Sequence, residues 1–578
     1  MSKIINNGII ASPGIKMGKA YVCKGNKIII PKYNIPSKEI NSELKRLDSA
    51  IKRTKIDIER IQNQISNSLS KDMANIFSSH LMVLEDPLIE AKAKELIKEK
   101  KRNAEWVLND ISLELINNLS EIEDDYLKER IVDISDIHKR LIGHLQKFDP
   151  TPLSKINEEV IVFANNLTPS DTAIMNKNYI LAFITDEGGR TSHTAIMARA
   201  LEIPSIVGTI NATSLVKDGD FVIIDAINCK IVINPSKAEI KKFKERERVF
   251  LQRELELSKL TDLPAITLDE TKIYIYGNIE IPEEKKIIKN HGAEGIGLYR
   301  SEFLFMDKNL PDEERQFQEY RRVVEFFNPA PVTIRTIDVG GDKIIGYNKH
   351  YKERNPFLGC RAIRFSLENK DLFNIQLRAI LRASHYGNLQ LMFPMISTIE
   401  EFKMARQMTF EAMEELEKEK IPFKKDLLIG LMIETPSAVV SADILAKYAD
   451  FFSVGSNDLV QYLLAVDRVN EKIAYLYNPL NIAFIKFLKK IVETADQASI
   501  PISICGEIAG EPLYTMLLLG LGFRHFSMSM TYFYQVKKII RSVALEECLN
   551  LVDTILSLEE TNHIEKIIKK KFDEKFII

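Results

Sequence analysis

The sequence predicts a multidomain α/β chain: an α/β domain interrupted by an inserted helical bundle, followed by a C-terminal (β/α)8 barrel of the TIM type. Three observations predict it. Eight short apolar runs, each followed by a helical pattern, fill roughly the last 300 residues. Apolar residues recur at helical spacing between about 37 and 145. Short strand-like runs lie on both sides of that helical block.

Residues 1–35 alternate apolar runs with glycine and proline (Ile9, Ile10, Pro13, Gly14, Gly18, Tyr21, Val22), which reads as strand and turn. From Ser37, read as an N-cap after Pro36, the residues Ile40, Leu44, Leu47, Ile51, Ile58, Ile61 and Ile65 fall on one helical face. Helical patterning continues to about Leu145, with Pro87 its only internal proline. Strands return near Glu159 as EVIVFA, YILAFIT, PSIVGT and FVIIDA, with TAIMARALEI as the clearest intervening helix. The N-terminal strands are expected to join these, which makes the helical block an insertion. The expected domains are 1–35 with 146–236 (α/β), 36–145 (inserted bundle), 237–262 (a charged linker helix) and 263–578 (barrel).

The barrel runs are KIYIYGN, GIGLYR, VTIRTID, LQLMFPM, LLIGLMIET, FFSVGSND, PISICGE and HFSMS. Their C-terminal ends carry Arg300, Arg335, Asp338, Met395, Glu434, Asn457, Asp458 and Cys505. Barrels of this kind place their chemistry at that end of the strands.

Composition narrows the function. The 79 Lys and Arg against 81 Asp and Glu give a net charge of −2, which argues against a nucleic-acid or anionic-membrane partner. No apolar run approaches the ~20 residues of a membrane span, and the first residues lack the apolar core of a signal peptide. The five cysteines are scattered, with no CxxC pair, so neither a disulfide framework nor a zinc site is indicated. A reducing cytoplasm is the expected location.

The sharpest local signal is Gly188-Gly189-Arg190-Thr191-Ser192-His193-Thr194-Ala195-Ile196-Met197-Ala198-Arg199. Two glycines permit a tight turn. Thr191 or Ser192 can cap the helix that follows, which puts His193 at a helix N-terminus. Free N–H groups and the helix dipole there favour an anion and disfavour an imidazolium, leaving the ring neutral and nucleophilic. A lone histidine is more often simply packed or exposed; this context reverses that reading.

The segment, continuing through Leu201–Gly208, resembles the phosphohistidine motif of the phosphoenolpyruvate-utilising enzymes. From end to end the chain resembles the enzyme I family of the bacterial sugar phosphotransferase system. The matching motifs are ASPGI, FSSHLMVLED, DDYLKERIVDISDIHKRL, LTPS, GLYRSEFLFMD, RTIDVGGDK, NPFLGCRAIR, MIETP, FFSVGSNDLVQY, VDR and CGEIAG. The resemblance implies a swivelling phosphohistidine domain, a helical insert that docks the phosphocarrier protein HPr, and a phosphoenolpyruvate-binding barrel through which the protein dimerises.

It implies residue roles as well. His193 accepts the phosphoryl group of phosphoenolpyruvate and passes it to a histidine of HPr. Thr168 orients His193. Glu434 and Asp458 bind Mg²⁺. Arg300, Arg335 and Arg468 clamp phosphate and carboxylate, Asn457 and Asp458 also bind substrate, and Cys505 protonates the methylene carbon before pyruvate leaves. The chemistry agrees residue by residue. Mg²⁺ keeps one or two carboxylates and fills its octahedron with substrate oxygens and water. Arginine forks match phosphate and carboxylate. A thiol at the barrel mouth can deliver a proton to carbon. Met82, Leu84, Glu85 and Asp86 form an apolar and acidic patch that suits a basic carrier face.

The chain departs from the family pattern at Asn166 (commonly Asp), Val469 (commonly Gly), Ser456 (commonly Thr) and Cys360 (commonly Trp). Val469 bears on the loop that carries Arg468. The alternative, a phosphoenolpyruvate synthase or pyruvate–phosphate dikinase, needs an ATP-grasp domain ahead of the histidine. The residues before His193 are mostly helical and hold no glycine-rich nucleotide loop. A nitrogen-regulatory paralogue needs an extra N-terminal sensor domain, for which no room is expected. A non-catalytic scaffold is disfavoured because every catalytic position is present.

Overall fold

A computed structural model describes residues 2–23, 30–68, 81, 84, 87–120, 125–146, 153, 156–167, 171, 175, 178–189, 194–195, 198, 203–279, 282–305, 310–340, 355–468, 470 and 472–576. The chain divides into two compact units, Met1–Glu254 and Leu255–Ile578.

In the first unit β1 (Lys3–Ile5), β2 (Ile9–Ser12), β3 (Ile15–Cys23), β4 (Val160–Ala164), β5 (Ile180–Thr185), β6 (Ser205–Val207), β7 (Phe221–Asp225) and β8 (Lys230–Ile233) form one sheet. Its order is β1-β8-β7-β3-β4-β5-β6-β2. The strands from β3 to β6 in that order run parallel, and the flanking pairs are antiparallel. Between β3 and β4 the chain inserts α1 (Ile40–Ser68), α2 (Pro87–Lys100), α3 (Ala104–Ser120) and α4 (Asp125–Gln146).

The run VIVFA explains itself by the two-residue period of a strand. Val160, Val162 and Ala164 share a core with Leu47, Ile58, Val107 and Ile142 of the inserted helices. Ile161 and Phe163 face the opposite core with Ile206, Val222 and Ile224. Both faces of β4 are covered, so every position is apolar.

Ser37 is not an N-cap. Pro36 holds the extended cap position with ψ 146°, and Ser37 already lies within a short 3-10 turn, Ser37–Glu39, that leads into α1. Pro87 is the first residue of α2, where its missing N–H has no partner to lose. β8 was not separated in the sequence; it pairs with β7 across a tight turn in which Cys229 takes a φ of 50°.

The charged helix α5 (Lys237–Ser258) ends a few residues before the expected 262. Ile240 and Phe243 dock it on Ile15, Ile223 and Val232 of the sheet. Arg246 Nη1 pairs with Oδ2 of the fully buried Asp225 at 2.7 Å.

In the second unit β9 (Tyr274–Ile279), β10 (Ile296–Arg300), β11 (Val332–Arg335), β12 (Leu389–Phe393), β13 (Leu428–Ile433), β14 (Phe452–Gly455), β15 (Ile502–Cys505) and β16 (His525–Met528) close into a parallel barrel. Each lies within its predicted apolar run, except that β9 extends one residue past KIYIYGN to Ile279. Helices such as α6 (Glu313–Phe327), α7 (Lys370–Ser384) and α8 (Ile399–Lys418) alternate with the strands. α8 starts with a reciprocal capping box between Thr398 and Glu401. Inside the barrel Leu298, Met392, Met432, Phe451 and Cys505 pack together. Cys505 closes β15, so this plug reaches the C-terminal end of the strands.

Candidate active site

The strand ends converge as the sequence implies. Arg300 closes β10 and stands in register with Arg335, which closes β11. Glu434 follows β13 directly, and Cys505 closes β15 beside Gly455 of β14. α9 (Ser456–Leu464) starts immediately after β14, so Asn457 and Asp458 sit in its first turn.

Arg335 is buried, and carboxylates engage both of its terminal nitrogens: Nη1 lies 2.9 Å from Asp338 Oδ2 and Nη2 lies 2.8 Å from Glu302 Oε1. Burial opposes its charge, yet Glu302, Asp338 and Glu434 together hold its pKa above the usual arginine value. The second oxygen of Asp338 pairs with Arg361 Nη2 at 2.8 Å.

Glu434 is also buried. Its Oε1 accepts from the Met395 main-chain N–H at 2.6 Å, while Oε2 has no hydrogen-bond partner. Asp458 Oδ1 is likewise buried without a hydrogen-bond partner and lies 3.8 Å from Arg468 Nη1. Burial, with Asp338 and Asp458 nearby, pushes the Glu434 carboxyl well above the usual range. A cation between Glu434 and Asp458 would reverse that penalty. The donor set fits a hard cation that completes its shell with water and substrate oxygens. Among the described residues no group of three or more His, Cys, Asp or Glu gathers as a complete cage.

Two glycines make room. A Cβ on Gly455 would stand 2.6 Å from Glu434 Oε2. Gly506 adopts a φ of +98°, and a Cβ there would stand 2.2 Å from Ser456 Oγ. The open space lets Ser456 Oγ donate to the Cys505 carbonyl at 2.8 Å and Asn457 Oδ1 accept from the Glu507 N–H at 3.0 Å. The Cys505 thiol donates to the Val454 carbonyl at 3.3 Å and accepts from Ser453 Oγ at 3.7 Å. Burial pushes its pKa up to about 11, so it carries its proton at neutral pH.

His193 and Thr168 lie outside the described residues, as do Val469 and the patch residues Met82, Glu85 and Asp86. Around the histidine segment, Asn165 and Asn166 donate to the two oxygens of Glu187 at 2.8 and 3.2 Å, and Thr194 Oγ1 donates to the Leu167 carbonyl at 2.8 Å. Leu84 corrects the docking patch: it is buried in the core shared with the helical insert and offers no free apolar face. Cys360 donates to Glu368 Oε2 at 2.9 Å.

Sequence reasoning passed over Arg361 and Glu302. Both lie inside quoted motifs, NPFLGCRAIR and GLYRSEFLFMD, but only the folded barrel brings them against Asp338 and Arg335.

Comparison with known proteins fits this geometry. Residues 7–130 match the N-terminal model of the PEP-utilising enzymes, 156–228 the mobile-domain model and 254–545 the PEP-binding-domain model. The phosphoenolpyruvate-protein phosphotransferase of Haemophilus influenzae is 44% identical over 565 residues, 98% of each chain. Its counterpart in Bacillus subtilis is 42% identical over 566 residues, covering 98% of this chain and 99% of that one. The chain belongs to the phosphoenolpyruvate-protein phosphotransferase family. It is therefore an enzyme of the phosphotransferase class, and the barrel just described lies in the family's PEP-binding domain. Among the described residues no helix is long and apolar enough to cross a membrane.

Proposed function

We propose that the protein moves the phosphoryl group of phosphoenolpyruvate to its own His193, and from there to a histidine of the carrier protein HPr, as the first step of sugar uptake by the phosphotransferase system. One observation carries the reading. At a single barrel end, paired arginines stand beside two carboxylates with unbonded oxygens, above a buried protonated thiol.

In the first step Arg300, Arg335 and Arg468 bind and orient the substrate anion, with Asn457 beside them. Arg361, held by Asp338, adds positive charge to the same pocket. PEP-utilising enzymes use a divalent cation. Mg²⁺ is the ion we assign here, on Glu434 and Asp458, where it would neutralise phosphate charge. The imidazole nitrogen of His193 attacks phosphorus; the P–O bond to the enol oxygen breaks and an N–P bond forms. The enolate takes a proton at its methylene carbon from the Cys505 thiol, which recovers one from solvent after pyruvate leaves. Ser453 donates to that sulfur and so offsets the thiolate charge. In the second step the carrier's histidine attacks the phosphohistidine.

Delivery to two sites requires the His193 domain to move as a body, and the α5 region is the natural hinge. The domain boundaries given above, a cytoplasmic location and a homodimer formed through the barrel belong to the same reading. Mixing the protein with phosphoenolpyruvate, Mg²⁺ and HPr tests it: pyruvate and phospho-HPr should appear in equal amounts. Pyruvate without phospho-HPr, or ATP-dependent labelling of the protein, would contradict it.

A further inference from the structure

We propose that Glu302 is a positioning residue for the reaction: it fixes the rotation of the Arg335 guanidinium and the loop behind β11 before substrate arrives. The proposal rests on the reading of Arg335 as a substrate-binding group.

Glu302 opens a one-turn 3-10 helix, Glu302–Phe305, directly after β10 and Ser301. Leu304 and Phe305 are almost fully buried, so the turn is anchored by its own apolar side chains. A single oxygen, Oε1, takes two hydrogen bonds, from Arg335 Nη2 at 2.8 Å and from the Asp338 main-chain N–H at 3.0 Å. One carboxylate thereby ties the clamping arginine to the loop that presents Asp338. Asp338 in turn holds Arg335 Nη1 and Arg361 Nη2. With Nη1 and Nη2 both engaged, the long side chain has lost most of its rotamer freedom in advance, which removes an ordering cost from substrate binding.

The surroundings are built to keep this arrangement. Ser301 Oγ donates to the Arg335 carbonyl at 2.9 Å, and Gln376 Nε2 donates to Ser301 Oγ at 3.1 Å. Gln376 Oε1 accepts from the Ile337 N–H at 3.1 Å, so the main chain on both sides of the β11 terminus is pinned. Against this background Arg335 Nε is buried with no hydrogen-bond partner. A guanidinium held at both terminal nitrogens with its Nε–H unspent keeps a donor for an incoming phosphate or carboxylate oxygen.

Position can be separated from charge by two variants of the full-length protein. Glu302→Asp keeps the charge but withdraws the carboxylate by one methylene. Glu302→Gln keeps a carbonyl oxygen at the same reach but drops the charge. Steady-state kinetics with phosphoenolpyruvate, phosphoryl exchange with HPr and thermal unfolding are measured for each. The expected result is a KM for phosphoenolpyruvate raised at least fivefold in Glu302→Asp, with kcat within threefold of wild type. Exchange with HPr should be unchanged, and Glu302→Gln should stay within twofold of the wild-type KM. A wild-type KM in Glu302→Asp overturns the proposal. So does a Glu302→Gln variant as impaired as Glu302→Asp, because charge alone would then account for the residue. A parallel loss of kcat, KM and exchange also overturns it, in favour of a purely structural role. Should the wild type itself fail to turn over phosphoenolpyruvate, the reading of the site falls, and this inference with it.

Discussion

Gly455→Ala is the substitution that tests the carboxylate site most sharply. Gly455 has a φ of −82°, open to any residue, so the glycine is required for space alone. An added Cβ would stand 2.6 Å from Glu434 Oε2, 2.8 Å from Met432 Sδ and 2.9 Å from Glu434 Cβ. Ordinary contact is about 3.5–4.0 Å, so the carboxylate must retreat by roughly 1 Å. Its other oxygen is tied to the Met395 N–H at 2.6 Å, and Met432 belongs to the packed inner plug. Overpacking of this kind costs about 1–3 kcal/mol of stability. For activity the displacement matters more. A metal site at about 2.0–2.1 Å ligand distances does not absorb a shift of that size, and misplacement by about 1 Å can cost on the order of 100-fold in rate. The assay is pyruvate formation from phosphoenolpyruvate across a Mg²⁺ titration, with thermal unfolding measured alongside. The variant should fold, need at least tenfold more Mg²⁺ and turn over about 100-fold more slowly. Phosphoryl exchange with HPr should not change. A wild-type rate at the wild-type Mg²⁺ requirement would refute the placement of the cation against Glu434.

Other outcomes follow from the same geometry. Cys505→Ser should lose about 10²–10⁴-fold in pyruvate formation yet exchange phosphate with HPr normally, and equal loss of both would count against proton donation. Arg361→Ala removes one of the two arginines on Asp338, which keeps Arg335, and should cost about 1–3 kcal/mol in urea unfolding of the barrel, besides raising KM for phosphoenolpyruvate. Burial pushes the imidazole of His138 down from 6.5 to about 4. Between those values the unfolded chain binds a proton that the folded chain refuses. Stability should therefore fall by about 3 kcal/mol as pH drops from 6.5 to 4, with no contribution above 6.5. His138→Leu should lose that part of the acid dependence, and an unchanged acid slope would contradict it.

Much of this was legible in the sequence because strands and barrel chemistry are both periodic. A strand that ends in a charged residue, such as GIGLYR or VTIRTID, announces its barrel position and its polar end together. What stayed hidden were relations between segments far apart in the chain. Arg361 has no local signal of function, because its meaning comes from Asp338, which lies 23 residues earlier in the sequence. Glu302 reads as one charge in an apolar motif until Arg335 is placed beside it from the next strand. The need for glycine at 455 comes from Glu434 on the neighbouring strand, not from its own backbone. Leu84 was misread for the converse reason: an apolar residue beside acids looks the same whether it faces a partner or the chain's own core.

In the proposed reaction one histidine, His193, carries the phosphoryl group between two sites. Incubation with ³²P-labelled phosphoenolpyruvate and Mg²⁺, followed by peptide mapping, tests it directly. The label should be acid-labile, reside on the peptide containing His193, vanish in His193→Ala and chase onto HPr. Label that persists in His193→Ala, or that maps to another residue, would contradict the account.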